Sequence, residues 1–327
     1  MNSRRQKLLF SFFTLFSTLC AALAAVPPVI AAQAPSPTPV ARGASDLQAL
    51  AESGDPAAQF RLAKAILARQ ASPDEVRTAL HWMRASAAQN DANAAFYLGY
   101  FYEHGRFVPQ NYTRAFENYK IAARSHYPVA ENNLASLYQH GQGAPLNLGK
   151  VYEWYLAAAQ HGDAVGQLNL ATLYYTGTGV SRDYHEAIRW LRYSADARLP
   201  EAENCLAYFY FYGVAVPEDY LEAARLIRLA AETGLPGAQT NLAYLYELGK
   251  GVPLDYVSAY TWYSRAIAAG DKVGTGRRKQ LERIMTRKQL DEANSLAATA
   301  NAPPSSPVAV EPTVSAFAGF TLLNTQH

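Results

Sequence analysis

The amino-acid sequence predicts an all-α fold, a solenoid of stacked helix pairs, from three recurring features. A glycine returns every 36 residues, at Gly105, Gly141, Gly177, Gly213 and Gly249. A leucine stands seven residues before each of these glycines, and a tyrosine stands three residues before it. A small residue follows each turn, with Val151 as the exception. Because several positions keep one register over six periods, the chain is interpreted as an array of helical repeats.

The first helix of each repeat is predicted from its apolar spacing. In the last full repeat, apolar residues recur at intervals of three and four from Ala238 to Tyr246, which places them on one stripe of a helix. Ala243 stands in a column that never holds more than a methyl group, so another helix is expected to pass close to it. Gly249 suits the left-handed position that ends a helix, because glycine adopts a positive φ at little cost.

The second helix of each repeat is predicted from its N-terminus. Aspartates follow the turn in three repeats as candidate N-caps, at Asp183, Asp219 and Asp255. Two of them precede a glutamate by three residues, which predicts capping boxes with Glu186 and Glu222. The second helix is then expected to bury Ala259, Trp262 and Ala266. Neither helix can bury its apolar stripe alone, so the repeats must stack.

The repeat pattern resembles the Sel1-like repeat, a relative of the tetratricopeptide repeat, and reads A-x-x-x-L-G/A-x-x-Y-x-x-G-x-G-V-x-x-D-x-x-x-A-x-x-W-x-x-x-A-A-x-x-G. The resemblance extends over roughly Leu47 to Ala298. It implies a right-handed superhelix of antiparallel helix pairs that serves as a scaffold for other proteins, and many bacterial members are exported. One exported subfamily has a disulfide in every repeat. This chain lacks those cysteines, so properties specific to that subfamily are not expected.

Residues 1–26 are predicted to be a signal peptide. Basic residues at Arg4, Arg5 and Lys7 precede an apolar run over residues 8–26, and an Ala-Leu-Ala segment at 22–24 offers a cleavage site. The mature protein is therefore expected outside the cytoplasm, in the periplasm. The alternative is an uncleaved anchor that keeps the protein attached to the membrane, because the apolar run is long enough to span a bilayer.

The rest of the chain divides into three parts: a Pro/Ala-rich linker at 27–43, a repeat solenoid at 44–298 and a tail at 299–327 that is predicted to be disordered. In the solenoid a half-repeat cap precedes six repeats, at 55–90, 91–126, 127–162, 163–198, 199–234 and 235–270, and a C-terminal cap follows at 271–298. Arg69 replaces the turn glycine of the first repeat, so the second helix of that repeat must start at Ser72 instead. Thr286 and Gln289 are predicted to form a capping box in the closing cap.

Composition and motifs favour a binding protein without enzymatic activity. The net charge of +2 and the lack of a basic stripe within the repeats argue against nucleic acid as the main partner. The histidines form no H-x-x-x-H or H-E-x-x-H pair and have no cysteine near them, so no metal and no cofactor is predicted. There is no S-x-x-K motif either. Cys205 is the cysteine that would remain after signal cleavage, and its thiol is expected to be buried.

Two functions compete at this point. The first is an exported scaffold that binds a protein or peptide partner in the concave groove of the superhelix. The second is a cell-envelope enzyme that acts on peptidoglycan or a related substrate, with its site in the groove. The absence of a catalytic constellation in the sequence favours the scaffold.

Candidate groove residues follow from analogy with the tetratricopeptide fold, in which first-helix residues off the core stripe line the concave face. They are Asn133, Asn169, Asn241, Tyr175, Tyr208, Phe211, Tyr212 and Tyr244. The asparagines could hydrogen-bond a peptide backbone, and the aromatic rings could anchor apolar side chains. The alternative is that the asparagines connect neighbouring helices and that the aromatic residues pack in the core.

Overall fold

The structure, a computed structural model, describes residues 44–69 and 71–300, and every regular element within these ranges is an α-helix. The all-α prediction is therefore confirmed. The predicted signal peptide at 1–26, the linker at 27–43 and residues 301–327 of the predicted tail lie outside the described residues. None of the described helices is long and apolar enough to cross a membrane.

Fifteen helices follow one another in the described part of the chain. A short helix, α1 (Ala44–Glu52), precedes six helix pairs, and two further helices close the array. The pairs are α2 (Pro56–Leu67) and α3 (Pro73–Ala88), α4 (Ala92–His104) and α5 (Tyr112–Arg124), α6 (Pro128–His140) and α7 (Leu148–Gln160), α8 (Ala164–Thr176) and α9 (Tyr184–Asp196), α10 (Pro200–Tyr212) and α11 (Tyr220–Glu232), and α12 (Pro236–Leu248) and α13 (Tyr256–Ala268). The closing helices are α14 (Thr275–Ile284) and α15 (Arg287–Ala300).

The second helices begin at side-chain caps. Five of them start after an asparagine or aspartate that accepts a backbone N–H of the first turn, namely Asn111, Asn147, Asp183, Asp219 and Asp255. The three predicted aspartate caps are thereby confirmed. The capping boxes predicted with Glu186 and Glu222 are wrong. The N–H groups of Asp183 and Asp219 donate instead to the carbonyls of Tyr174 and Tyr210 at 2.9 Å, and the two glutamates accept bonds from Arg189 and Arg225.

The atypical helix starts follow the predicted chemistry. Ser72 opens α3 with a complete capping box through Glu75, so the first repeat starts its second helix without a turn glycine. At the start of α15, the Thr286 N–H donates to Gln289 Oε1 at 2.9 Å and the Gln289 N–H donates to Thr286 Oγ1 at 3.3 Å. The predicted helix start at Ser72 and the predicted capping box at Thr286 are therefore confirmed.

The first helices from α4 to α12 end at glycines in the left-handed conformation. The φ angle is 66° at Gly105, 64° at Gly141, 75° at Gly177, 63° at Gly213 and 64° at Gly249. Residues with a Cβ are strained in this region of backbone conformation. The 36-residue column of glycines therefore follows from the way in which each first helix must end.

The described helices form two compact units, divided at the end of α8. The described part of the first unit comprises residues 44–69, 71–173 and 177–182, and its core includes the fully buried Phe96, Tyr119 and Leu134. The described part of the second unit comprises residues 174–176 and 183–300, and Tyr263 and Leu281 lie in its core. Within each unit, the two helices of a repeat pack against each other, and α13 packs against both closing helices.

The column of small residues is buried as predicted. Its alanines are at most 1% exposed, at Ala135, Ala171, Ala207 and Ala243. At Gly99 in the same column, an added Cβ would lie 2.6 Å from the ring of Tyr119 in the second helix of its repeat. The two helices of a repeat therefore approach too closely for a large side chain at this point.

The burial predicted for Trp262 is wrong. Its ring is only half-buried and lies under the Arg265 guanidinium, 4.5 Å from the ring centroid. The neighbouring Tyr263 is fully buried in its place. Adjacent residues on a helix point about 100° apart, so the stripe of α13 is centred one residue later than the sequence suggested.

Candidate functional site

The three candidate asparagines are buried between first helices. Asn169 Nδ2 donates to Asn132 Oδ1 at 2.9 Å, and Asn241 Nδ2 donates to Asn204 Oδ1 at 2.9 Å. Asn133 is also buried and accepts a bond from Asn132 at 3.3 Å. These asparagine pairs connect the first helices of successive repeats, α6 to α8 and α10 to α12. The structure therefore corrects the prediction of an exposed asparagine ladder.

The asparagine pairs occur only in alternate repeats, and the sequence explains this. The accepting column reads Phe96, Asn132, Leu168, Asn204 and Thr240. The asparagine of the following repeat finds a side-chain amide to bond only where this column holds asparagine, at Asn132 and Asn204. The partner of Asn169 stands 37 residues earlier, in the column next to its own, so the Asn169 column alone does not predict the pair.

The candidate aromatic residues come together in the second unit. They form the aromatic patch, which we define as Tyr175, Tyr208, Phe211, Tyr212 and Tyr244. Ring centroids are 6.3 Å apart for Tyr175 and Tyr208, 4.9 Å for Tyr208 and Tyr212, and 4.9 Å for Phe211 and Tyr212. Tyr208 is buried, at 3% exposure, and the other four rings are half-buried. Tyr208 thus forms the floor on which the partly exposed rings lie.

Tyr244 joins the patch at a small apolar pocket. It is shallow, with room for about one water molecule, and its lining includes Tyr208, Phe211, Tyr212 and Tyr244 together with Ala207, Ile227, Asn241 and Leu245. The guanidinium of Arg277 lies 4.4 Å from the Tyr244 ring centroid and donates to Glu247 at 2.9 Å. An arginine held over an aromatic face therefore borders the pocket.

The patch hydroxyls are held in the neutral form. Burial raises the pKa of Tyr212, and the neighbouring Tyr244 adds to this rise. Burial also raises the pKa of Tyr244, Glu247 adds to the rise, and Arg277 opposes it. Both phenols are therefore protonated at physiological pH and can donate hydrogen bonds. The patch can offer apolar area and neutral donors to a ligand.

The aromatic patch lies where apolar residues replace a hydrogen-bonded pair between the two helices of a repeat. In three repeats a first-helix side chain accepts a bond from a buried tyrosine of the second helix, as in the pairs Glu103 with Tyr119 at 2.5 Å, Gln139 with Tyr155 at 2.9 Å and Glu247 with Tyr263 at 2.7 Å. In the other three repeats, the first-helix position holds Leu67, Tyr175 or Phe211, and Met83, Leu191 and Ile227 replace the tyrosines. An apolar pair thus replaces a polar one in these three repeats.

The family model of the Sel1 repeat matches six segments of the chain, at residues 56–91, 92–127, 128–163, 164–198, 200–235 and 236–271. The chain belongs to the Sel1 repeat family. The predicted resemblance is therefore confirmed, and the described helix pairs are those of a Sel1 repeat solenoid. Sel1 repeat solenoids are generally scaffolds without catalytic activity that mediate protein–protein interaction.

Two solved structures with this fold are similar to the chain. A protective antigen of uropathogenic Escherichia coli with an SLR fold matches with a TM-score of 0.70 and 28% identity over 80% of this chain, and the chain covers 57% of that antigen. A Sel1 repeat protein from Oxalobacter formigenes matches with a TM-score of 0.63 and 25% identity over 78% of this chain and 99% of that protein. Comparison with curated proteins finds no match.

Proposed function

We propose that the chain is an exported scaffold that binds a protein or peptide partner through the aromatic patch. The observation that carries this proposal is that four half-buried rings, Tyr175, Phe211, Tyr212 and Tyr244, share one surface around a pocket. Aromatic residues and arginine dominate the binding energy of protein interfaces when they lie in well-packed pockets. Asn133 and Asn169 are buried between helices, whereas Asn241 lines the pocket while its amide donates to Asn204.

The chemistry of the patch suits one kind of partner segment. Rings with neutral hydroxyls combine apolar area with hydrogen-bond donors, and the Arg277 guanidinium adds a cation at the border. A partner would pack an apolar or aromatic side chain against these rings at the mouth of the pocket. A net charge of +2 supports a protein partner over nucleic acid. The chain would act by binding rather than by catalysis.

The export of the chain is proposed from the N-terminal sequence. Basic residues followed by an apolar run and an Ala-Leu-Ala segment are typical of a secretory signal peptide. Cys205 is 1% exposed, which protects its thiol in an oxidising compartment such as the periplasm. N-terminal sequencing of the native protein should find a chain that begins between Ala25 and Gln33. An intact N-terminus in the membrane fraction would instead identify an uncleaved anchor.

Site-directed photocrosslinking tests the binding proposal. Tyr212 is replaced by a photoreactive phenylalanine analogue in the full-length protein, which is expressed in its native organism. The matched control carries the same analogue at Tyr193, which is 52% exposed and lies on α9 outside the patch. A discrete crosslinked partner from position 212 that is absent from position 193 supports the proposal.

Two alanine variants separate binding from stability. With the photoreactive residue placed at another position of the patch, Tyr212→Ala should abolish crosslinking to the partner. Tyr193→Ala should leave this crosslinking unchanged. Both variants are first compared with the wild type in thermal unfolding. Full recovery with Tyr212→Ala at unchanged stability would show that the patch does not bind the partner.

A further inference from the structure

Three side chains with metal-ligating atoms converge at the junction of α5, α6 and α7 in the first unit. His126 follows α5, Glu131 lies in the first turn of α6, and His161 caps the end of α7. We call these residues the histidine–glutamate cluster. Glu131 Oε2 lies 2.8 Å from His161 Nδ1, and Glu131 Oε1 lies 3.8 Å from His126 Nδ1. Each residue can bring one ligand atom to within 4.8 Å of the other two.

Burial distinguishes the cluster from a chance surface contact. The Glu131 side chain is 1% exposed, whereas the side chains of His161 and His126 are 37% and 74% exposed. A buried carboxylate is costly unless a cation compensates it. The carboxylate of Asp163 accepts the Gly166 N–H at 2.6 Å and lies within electrostatic reach of Glu131. A buried carboxylate thus contacts two imidazoles that remain accessible from solvent, and a second carboxylate adds negative charge nearby.

Other repeats of the same chain show what this position does without the cluster. The column of Glu131 holds glutamine in three repeats, and each amide donates to a carbonyl of the preceding helix, from Gln59 to Ala51, from Gln167 to Ala159 and from Gln239 to Ala231. The column of His161 holds Gln89 in the first repeat, and Gln89 donates to Gln59 at 3.0 Å. Neutral amides therefore suffice to connect the helices here, and the stacking does not require the cluster.

A second glutamate in this column has a permanent cation beside it. Glu203 stands two repeats after Glu131, and Arg198 stands two repeats after His126. Arg198 Nη1 lies 3.8 Å from Glu203 Oε1. Arginine is always charged, whereas histidine is not, and a neutral imidazole is a common metal ligand. In the cluster, a metal dication between the imidazoles and the carboxylate would supply the positive charge that Arg198 supplies to Glu203.

We propose that His126, Glu131 and His161 bind a divalent transition metal ion, with Zn²⁺ as the metal that the donor set fits best. Two imidazoles and one carboxylate are a common zinc ligand set, and a fourth position stays open to water or to a ligand from a partner. Tetrahedral bonds of about 2.0–2.2 Å place ligand atoms about 3.4 Å apart. The two separations from Glu131, 2.8 and 3.8 Å, lie on either side of that value, and all three ligand atoms lie within 4.8 Å of one another, so metal binding requires side-chain rotations that even out the spacing.

Metal titration of the mature chain, purified without a polyhistidine tag, tests this site. Calorimetry with ZnCl₂ should show one bound equivalent, and CoCl₂ should give the visible absorption of a tetrahedral site. The variants are His126→Asn, Glu131→Gln and His161→Gln. Each introduces the residue that another repeat carries at that position, namely Asn90, Gln59 and Gln89. Asn90 has φ 64° and His126 has φ 55°, so asparagine also suits the left-handed backbone.

Each variant should bind Zn²⁺ at least about 10-fold more weakly, because even outer-shell partners of a metal contribute that much. His185→Gln removes an exposed histidine outside the cluster and should bind like the wild type. Thermal unfolding without metal shows that the variants fold. In the wild type, Zn²⁺ should shift the NMR signals of the His126 and His161 rings and leave those of His104 and His140 in place. The proposal is overturned if the wild type binds no stoichiometric Zn²⁺, if a folded variant binds like the wild type, or if other histidine rings shift instead.

Discussion

At the residue scale, the turn glycines differ in what surrounds them. Gly249 and Gly251 lie two residues apart in one turn, with φ angles of 64° and 67°. An added Cβ at Gly249 would meet Leu254 at 3.3 Å, whereas at Gly251 it would lie 1.9 Å from the carbonyl oxygen of Tyr220. One glycine is needed mainly for its backbone conformation, and the other also for its lack of a side chain.

We expect the two alanine variants of this turn to differ in stability. Gly249→Ala should lower the free energy of unfolding by roughly 1–2 kcal/mol, the cost of a left-handed residue with a Cβ. Gly251→Ala should cost clearly more, because the Tyr220 carbonyl blocks the methyl group as well. Urea unfolding of both variants measures the difference. Equal losses would show that the turn relaxes away from Tyr220.

At the residue scale, the sequence predicts contacts within one repeat but not the side-chain pairs between repeats. The glycine and leucine columns were predictable because each reflects a constraint inside one repeat. The partner of Asn169 lies in another column of the preceding repeat, so inspection of the Asn169 column could not reveal the pair. The histidine–glutamate cluster joins residues 126, 131 and 161 with no local motif. Only the fold brings these three side chains together.

At the element scale, helix caps link stability to pH. Asp91 caps α4, and its side chain accepts the Ala94 N–H at 2.8 Å. Burial raises the pKa of Asp91 above its ordinary value of 3.8, bonds from the Ala94 and Asn93 N–H groups oppose the rise, and Asp55 adds to it. Between the ordinary and the raised pKa, the folded chain holds this proton more tightly than the unfolded chain. The contribution of Asp91 to stability therefore falls as the pH rises through that window.

Asp91→Asn should remove this pH dependence. Asparagine is as good an N-cap as aspartate and carries no charge. The variant should be more stable than the wild type at neutral pH, and the difference should disappear below a pH of about 3.8. Chemical unfolding of both proteins between acidic and neutral pH measures it. A variant that is less stable at neutral pH would mean that the charge of Asp91 stabilises the helix.

Close packing between the two helices of a repeat also belongs to the element scale. Ala243 on α12 is fully buried in the same core as Tyr263 on α13. Ala243→Leu should overpack this contact and lower the free energy of unfolding by roughly 1–3 kcal/mol. Ala268→Leu, at the exposed end of α13, is the matched control and should change stability little. Equal melting temperatures for the two variants would contradict the assignment of this helix face.

At the scale of the whole molecule, the fold was the most predictable property, and the proposed binding surface was the least. Many residues in each repeat fit the apolar stripe of its helices, and each of them supports the prediction of a solenoid. The aromatic patch required two further facts: that Tyr208 is buried beneath its neighbours, and that Leu191 and Ile227 replace tyrosines in the second helices. The same eight candidate residues thus divided into buried connections and a surface, a division that depends on three-dimensional packing.

The alternation of the asparagine pairs restricts how such a chain can change in length during evolution. Loss of residues 199–234 would place Asn241 one repeat after Leu168, where its amide would meet a leucine. Loss of residues 163–234 would place it one repeat after Asn132 and restore an amide pair. Glu131 and Glu203 are likewise separated by two repeats. Loss of these two repeats together therefore preserves an asparagine pair, whereas loss of the repeat at 199–234 alone breaks it.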